Sequence, residues 1–241
     1  MMGKLRILPC LDSDERAAHC RRALQIPREL AAQLGHSAVQ LAESGGYRTT
    51  DGQPVNWKNA VESACSRTIS LPPDAALPTP TIPDVPETRL QVANETTLEA
   101  ARRLAEGGAR VLALNFANGI QPGGGFLNGA RAQEEVLCRS SALYLTLRGD
   151  PMYESHRQRP LPDSSAWAIL SPEVPVFRHD DGTPLDQPWP LSVLTCAAPY
   201  APTVGQPRAG DLLQARIQRV LAIARAYPSC AKSPVVQGGD G

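Results

Sequence analysis

No stretch of this chain stays apolar for the about 20 residues that a membrane-spanning helix needs, so nothing in the sequence asks for a bilayer. The opening MMGKLRILPCLDSDER has too short an apolar centre for a signal peptide and no small-residue cleavage site. An excess of either charge is missing too, with 24 Lys and Arg against 24 Asp and Glu. Without a basic stripe there is nothing to hold nucleic acid through its phosphates, and DNA is not an expected partner. The six cysteines (Cys10, Cys20, Cys65, Cys138, Cys196, Cys230) contain no Cys-x-x-Cys pair, and the four histidines (His19, His36, His156, His179) are equally scattered. Neither set has metal-ligand spacing, so no metal and no cofactor are expected. The cysteines read as reduced thiols of a cytoplasmic protein. No nucleophile-elbow pattern, internal repeat or low-complexity tract is present.

What is present centres on residues 109–147. An apolar run, Val111 to Phe116, suits one buried strand. Asn118, Pro122 and the triplet Gly123, Gly124 and Gly125 follow, and after seven more residues come Gln133, Glu134 and Glu135. A helical period then begins at Val136, Leu137, Ser140, Leu143, Tyr144 and Leu147. Glycines let a backbone approach a ligand and adopt positive φ, and successive N–H groups in such a turn can form an anion site. A diphosphate is the obvious anion. A carboxylate beside it, and beside a second carboxylate, should be raised in pKa, which suits a general acid. Each part alone is ordinary, since a glycine triplet is usually a flexible turn and two acids at a helix start usually serve the helix dipole. The joint pattern is more specific.

That pattern, NFANGIQPGGGFLNGARAQEEVLCRSSALY, resembles the signature of the microbial-type poly(ADP-ribose) glycohydrolases, a GGG-x(6–8)-QEE motif on a macrodomain fold. The similarity extends to VANETTLEAARRLAEGG at 92–108 and, more loosely, to GGYRTTDGQPVNW at 45–57 and VFRHDDG at 176–182. The resemblance implies that Glu135 is the catalytic acid, protonating the leaving 2′-oxygen of a ribose–ribose bond and then activating water. It implies that Glu134 and Asn118 bind the hydroxyls of the ribose being cleaved. Gly123, Gly124 and Gly125 would hold the diphosphate, with Gln133 beside them. The partners implied are poly(ADP-ribose) or ADP-ribosylated proteins, with ADP-ribose as product. Two other functions stay open, an ADP-ribose-binding module with little or no turnover and a mono-ADP-ribosyl hydrolase. The chain departs from the pattern at Gly119 and Gln121, where alanine and asparagine are more usual, and it ends at VVQGGDG, where relatives continue into a second glycine-rich loop.

Along the rest of the chain, residues 1–12 suit an edge segment. Asp12 or Ser13 caps a helix to about Leu24, and Pro27 starts a second, Arg28 to Leu41, weakened by Gly35 and closed by Gly45-Gly46. Tyr47–Thr50, Asp51-Gly52 and Gln53–Val55 read as a hairpin. Asn56 caps a short helix whose Trp57 packs this layer on the main domain. Six prolines in 68–87 exclude a long helix and suggest an ordered crossing segment. Thr88–Ala93 is a strand, and Thr96-x-x-Glu99 is a capping box for a helix closed by Gly107-Gly108. With the strand after it this makes a β–α–β unit, which favours a parallel pair. Residues 151–165 read as a loop exposing His156, Ala166–Leu170 as a short strand, and 172–182 as turns that include Asp180-Asp181. Leu191–Cys196 is a buried strand, and Tyr200 after it reads as a packed loop residue, with a nucleoside contact as the alternative. Asp211–Ala226 is an amphipathic helix with Leu212, Leu213, Ile217, Val220, Leu221 and Ala224 inward, and Pro234–Val236 begins a last strand. The expected fold is a macrodomain-like three-layer α/β/α sandwich with a mixed sheet. Residues 1–87 would form a helical accessory region and 88–241 the catalytic core.

Overall fold

A computed structural model of the chain describes residues 4–49, 51–80, 87–161 and 164–228. The expectations for Thr50 and for Pro234–Val236 lie outside these. In chain order the elements are β1 (Lys4–Ile7), α1 (Asp14–Leu24), α2 (Arg28–Ser44), β2 (Gly46–Arg48), β3 (Pro54–Asn56), α3 (Lys58–Arg67) and β4 (Ile69–Leu71). There follow β5 (Glu87–Leu90), α4 (Thr97–Glu106), β6 (Leu112–Ala117), a 3₁₀ turn (Phe126–Asn128), α5 (Gln133–Ser140), α6 (Leu143–Leu147) and α7 (Pro151–Arg157). The last are β7 (Ala168–Arg178), β8 (Pro184–Ala197), α8 (Ala201–Val204) and α9 (Arg208–Ala226).

The main sheet runs β4-β7-β8-β6, with β6 parallel to β8 and the other pairs antiparallel. It is mixed, as expected, and its pleat separates two cores. Ile169, Val174, Val176, Leu191 and Val193 face the larger core, with Trp57, Val61, Leu137 and Leu143 from α3, α5 and α6 and the N-cap of α3. Ala168, Leu170, Leu194 and Cys196 alternate with them and face Ile223 of α9. Helices therefore cover both faces, which is the three-layer sandwich. Among the described residues no helix is long and apolar enough to cross a membrane.

Several local signals act as expected. Ser13 caps α1, accepting from the Arg16 N–H at 3.2 Å. Thr96 and Glu99 complete a reciprocal capping box on α4. Asn56 Oδ1 accepts from the Lys58 N–H at the start of α3, and Trp57 packs on Phe177 with ring centroids 4.7 Å apart. Gly35 is less a weak point of α2 than a contact. A Cβ there would lie 2.6 Å from the Phe126 carbonyl oxygen, so the absent side chain lets α2 rest on the loop before α5.

Other expectations are corrected. β5 does not pair with β6. It pairs in parallel with β1, outside the main sheet. The free edge of β6 is instead taken by the Gln133 side chain, whose Oε1 accepts from the Phe116 N–H at 3.0 Å and whose Nε2 donates to the Leu114 carbonyl at 2.7 Å. The single helix expected after Glu135 is two, because Ser141 is extended and bridges to Val176 of β7. Residues 151–157 are helical and not a loop. Asp150 is the N-cap of α7, accepting from the Met152 N–H at 2.8 Å, and Pro151 takes the first turn. β7 continues through Pro172 and Pro175, a stretch expected to be turns, by way of a register shift between Ser171 and Val174. Prolines are tolerated at such bulges. In α9, Leu213, Ile217 and Leu221 are exposed, because the helix turns its Arg216, Ile223 and Ala226 side to the sheet. Arg219 anchors that rotation by donating to the Pro72 and Ala75 carbonyls.

Candidate active site

The parallel pair β6 and β8 ends together, Ala117 in register with Ala197. Loops at the C-terminal ends of such strands build the ligand crevices of open α/β sheets. A cleft of about 440 Å³ opens there, lined among others by Phe116, Asn118, Gly119, His156, Ser164 and Tyr200. A larger cavity of about 660 Å³ lies between the β2–β3 hairpin, α3 and the outer parts of β7 and β8. Its lining includes Glu173 and Asp186 but, unlike the cleft, no residue of the Phe116–Ile120 segment that leads into the glycine loop.

Below the cleft floor the glycine loop and the start of α5 lock together. Glu134 is almost wholly buried. Its Oε2 accepts from the Asn118 N–H at 2.7 Å, and its Oε1 accepts from the Gly123 N–H at 3.2 Å and from Asn115 Nδ2 at 3.4 Å. Glu135 Oε1 accepts from the Gly125 N–H at 3.0 Å. Glu135 Oε2 is buried with no hydrogen-bond partner among the described residues. Burial pushes the Glu134 carboxyl up to about 7, and the neighbouring Glu135 charge adds to the rise while the amide donors oppose it. Gly124 has φ +56, and a Cβ there would meet Glu135 Oε1 at 2.4 Å. The loop is thus glycine because two carboxyl groups lie directly against its backbone.

Glu134, Glu135, Gly123, Gly124, Gly125 and Asn118 come together in this one cluster. Asn118 also accepts, through Oδ1, from the Ile120 and Gln121 N–H groups at 3.0 Å each. Gln133 stands at the edge of the cluster, its amide committed to β6. The loop amides are already engaged: Gly123 and Gly125 donate to the two glutamates, and Gly124 donates to the Gln121 carbonyl at 3.0 Å. Two of the three amides thus hold the chain's own carboxyl groups, and the third holds a backbone carbonyl.

Several further groups gather around this cluster that the sequence pattern does not mark. Asn115 is fully buried in β6 and also donates to Thr195 Oγ1 of β8 at 3.2 Å. A polar residue inside the run LALNFA was its available signal. His156 is buried, not exposed, with Nδ1 2.8 Å from the Gly119 carbonyl and Nε2 2.6 Å from Ser165 Oγ. Tyr200 is not packed away but sits largely exposed on the rim of the cleft. Asp180 lies in a turn, as expected, yet is buried and accepts from the Thr96 hydroxyl at 2.9 Å, and burial raises its pKa. Arg139, one turn beyond Glu135, is fully buried. Burial lowers its pKa, and the Asp180 and Glu135 charges oppose the lowering. A cluster that could hold a metal ion is absent among the described residues.

A three-layer mixed α/β/α sandwich with a glycine loop folded over two carboxyl groups is a macrodomain-like arrangement, and known structures agree. The chain is similar to the crystal structure of poly(ADP-ribose) glycohydrolase from Thermomonospora curvata, with 38% identity and a TM-score of 0.74 over 82% of this chain and 76% of that one. The same protein bound to the inhibitor ADP-HPD matches at 36% identity and a TM-score of 0.71, covering 82% of this chain and 75% of that one. The Deinococcus radiodurans poly(ADP-ribose) glycohydrolase in complex with ADP-ribose matches at 33% identity and a TM-score of 0.55, covering 68% and 70%. No curated protein matches. The model of the microbial-type PARG catalytic domain matches residues 35–179, and the chain belongs to that family.

Proposed function

We propose that this chain hydrolyses poly(ADP-ribose), cleaving the ribose–ribose O-glycosidic bond and releasing ADP-ribose from chain ends. The observation that carries the proposal is the free oxygen of Glu135. One oxygen is pinned by the Gly125 N–H, and the other is buried without a partner among the described residues. A buried, unsatisfied carboxyl oxygen is costly unless a ligand or a proton answers it. Glu135 gives its proton to the leaving 2′-oxygen, which keeps the electron pair of the broken bond. Positive charge develops on the other ribose. Water then adds at the anomeric carbon and returns a proton to Glu135, so one side chain serves both halves.

Glu134 supports this step. Its Oε1 receives two donors and its Oε2 one, which leaves a lone pair on Oε2 for a ribose hydroxyl. Asn118 contributes its side-chain amide, and Gly123–Gly125 act by letting both carboxyl groups lie directly under the loop. Gln133 acts through β6. The partners in this proposal are poly(ADP-ribose) and the ADP-ribosylated proteins that carry it. A cytoplasmic setting belongs to the same proposal, and Cys10, Cys20, Cys65, Cys138 and Cys196 are all free thiols.

A second reading, ADP-ribose binding without turnover, is favoured by one observation: the cleft is lined by Asn118 and Gly119 but not by the two glutamates beneath them. Glu135→Gln separates the two. General acid–base catalysis contributes about 10²–10⁴-fold, so the hydrolase reading expects roughly a thousandfold loss of polymer turnover with ADP-ribose affinity kept within tenfold. Equal turnover in the variant would overturn it. Calorimetric binding by an unmodified protein that releases no ADP-ribose from polymer would establish the binding module.

A further inference from the structure

We infer that His156 and Arg157, at the end of α7, are positioning residues that hold the Asn118–Gln121 loop by its carbonyls and so keep the Asn118 N–H on Glu134. The inference deepens the proposed function and takes its kinetic readout from it. Its geometry stands separately.

The polarity of the His156 contacts is forced. The Gly119 carbonyl 2.8 Å from Nδ1 can only accept, so Nδ1 carries the proton. The Ser165 N–H 3.1 Å from Nε2 can only donate, so Nε2 is bare. Two backbone groups of opposite character thus fix the imidazole as the neutral Nδ1–H tautomer, with Ser165 Oγ also at 2.6 Å from Nε2. Arg157 Nη1 donates to the next carbonyl, Ile120, at 2.6 Å. One helix end therefore grips two successive carbonyls of the loop.

The grip continues to the carboxyl groups. Asn118 Oδ1 ties the Ile120 and Gln121 N–H groups, the Gln121 carbonyl accepts from Gly124, and the Asn118 N–H sits 2.7 Å from Glu134 Oε2. Ser164 closes on the loop beside His156. A Cβ on Gly119 would lie 2.6 Å from Ser164 Oγ, and Ser164 holds φ 54, an uncommon value for a residue other than glycine. Such a conformation persists where its surroundings over-determine it, and these do so at functional sites. His156, Ser164, Asn118 and Gly119 line the same cleft. The described bonds of His156 run to Gly119 and Ser165, so it acts on Glu134 through the loop.

The test compares His156→Ala, His156→Asn and Arg157→Met. Asparagine places its amide nitrogen where histidine has Nδ1, so it restores the bond to Gly119 without the Ser165 contacts. Misplacement by about 1 Å can cost on the order of a hundredfold. Polymer turnover should therefore fall roughly 10- to 100-fold in kcat for His156→Ala, with KM within about threefold, and His156→Asn should recover most of the loss. Unchanged kcat in His156→Ala, or a His156→Asn no better than it, overturns the inference. Should His156→Ala fail to fold, Arg157→Met reads the same grip from a half-exposed side chain, and unaltered kinetics there overturn it. If the unmodified protein hydrolyses no polymer, the hydrolase reading fails by itself. ADP-ribose affinity then decides: about tenfold weaker binding in His156→Ala, restored in His156→Asn, supports the grip, and equal affinities overturn it. Imidazole ¹⁵N shifts need no ligand. A protonated Nδ1 and bare Nε2 at pH 7 support the assignment, and an Nε2–H tautomer ends it.

Discussion

A methyl group at Gly124 has nowhere to go. The added Cβ would stand 2.4 Å from Glu135 Oε1 and 3.1 Å from Glu134 Oε2, and real Cβ atoms essentially never come within 3.0 Å of a neighbour. Gly124→Ala must therefore push the Glu135 carboxyl aside or reshape the loop. The left-handed φ of +56 costs an alanine about 1–2 kcal/mol. Losing the Gly125 N–H bond to the Glu135 carboxyl adds about 0.5–1.5 kcal/mol. Together these amount to about 1.5–3.5 kcal/mol, or a fall of roughly 3–14 °C in Tm for a chain of this size. Below that lowered Tm, polymer turnover should drop on the order of a hundredfold, because the reacting oxygen has moved. The control is Gly125→Ala. Gly125 has φ −99, and its Cβ would sit 3.0 Å from Ala130 Cβ and 4.0 Å from Glu135 Oε1. Calorimetric unfolding and release of ADP-ribose from polymer would be measured on both. If Gly124→Ala matches Gly125→Ala in Tm and in turnover, the idea that the loop is glycine for the sake of the carboxyl groups is wrong.

Two further outcomes follow from the same geometry. Glu134 is raised in the folded state from an ordinary 4.5 to about 7, so folding favours its protonated form. Its penalty is absent below pH 4.5, grows as pH rises towards 7 and is then constant at about 3 kcal/mol. Denaturant unfolding of Glu134→Gln should accordingly lose stability less steeply between pH 4.5 and 7 than the unmodified protein does, and parallel curves would contradict the burial of this charge. Gly35→Ala, inside a helix, would ordinarily gain up to about 1 kcal/mol. Here the Cβ meets the Phe126 carbonyl at 2.6 Å, so thermal unfolding should show a loss of about 1–3 kcal/mol, and a rise in Tm would refute the close approach of α2 to the loop.

Much of the fold was legible because its signals are local. The capping box at Thr96 and Glu99, the Ser13 cap of α1 and the turn glycine at Gly45 act within a few residues of chain. The apolar runs at 111–116 and 191–196 supply most of the parallel pair, β6 and β8, whose ends carry the cleft. Misreadings arose where one local signal has two meanings. Asp150-Pro151 breaks one helix and starts the next. Pro172 fits a strand because β7 shifts register between Ser171 and Val174, and Pro175 stays paired with Pro190 beyond the shift. The apolar spacing of α9 named one face, yet Arg219 and its carbonyl partners near Pro72 turned another towards the sheet.

By itself the sequence determined which groups meet at the site. PGGG, seven residues and QEE on a strand–loop–helix segment are close enough in the chain that the loop and the acids have little freedom to lie apart. Only the tertiary structure decided what they do there. Burial, which depends on β8 and α7 from far along the chain, raised Glu134. The Gly123 and Gly125 amides turned inward onto the two glutamates, leaving one Glu135 oxygen without a partner among the described residues. His156 became a buried clamp because α7 folds back on residues 119 and 120, a contact across 37 positions. Short-range spacing can specify which atoms are neighbours, but how dry their surroundings are, and which of their hydrogen bonds are already spent, is set by the parts of the chain that close over them.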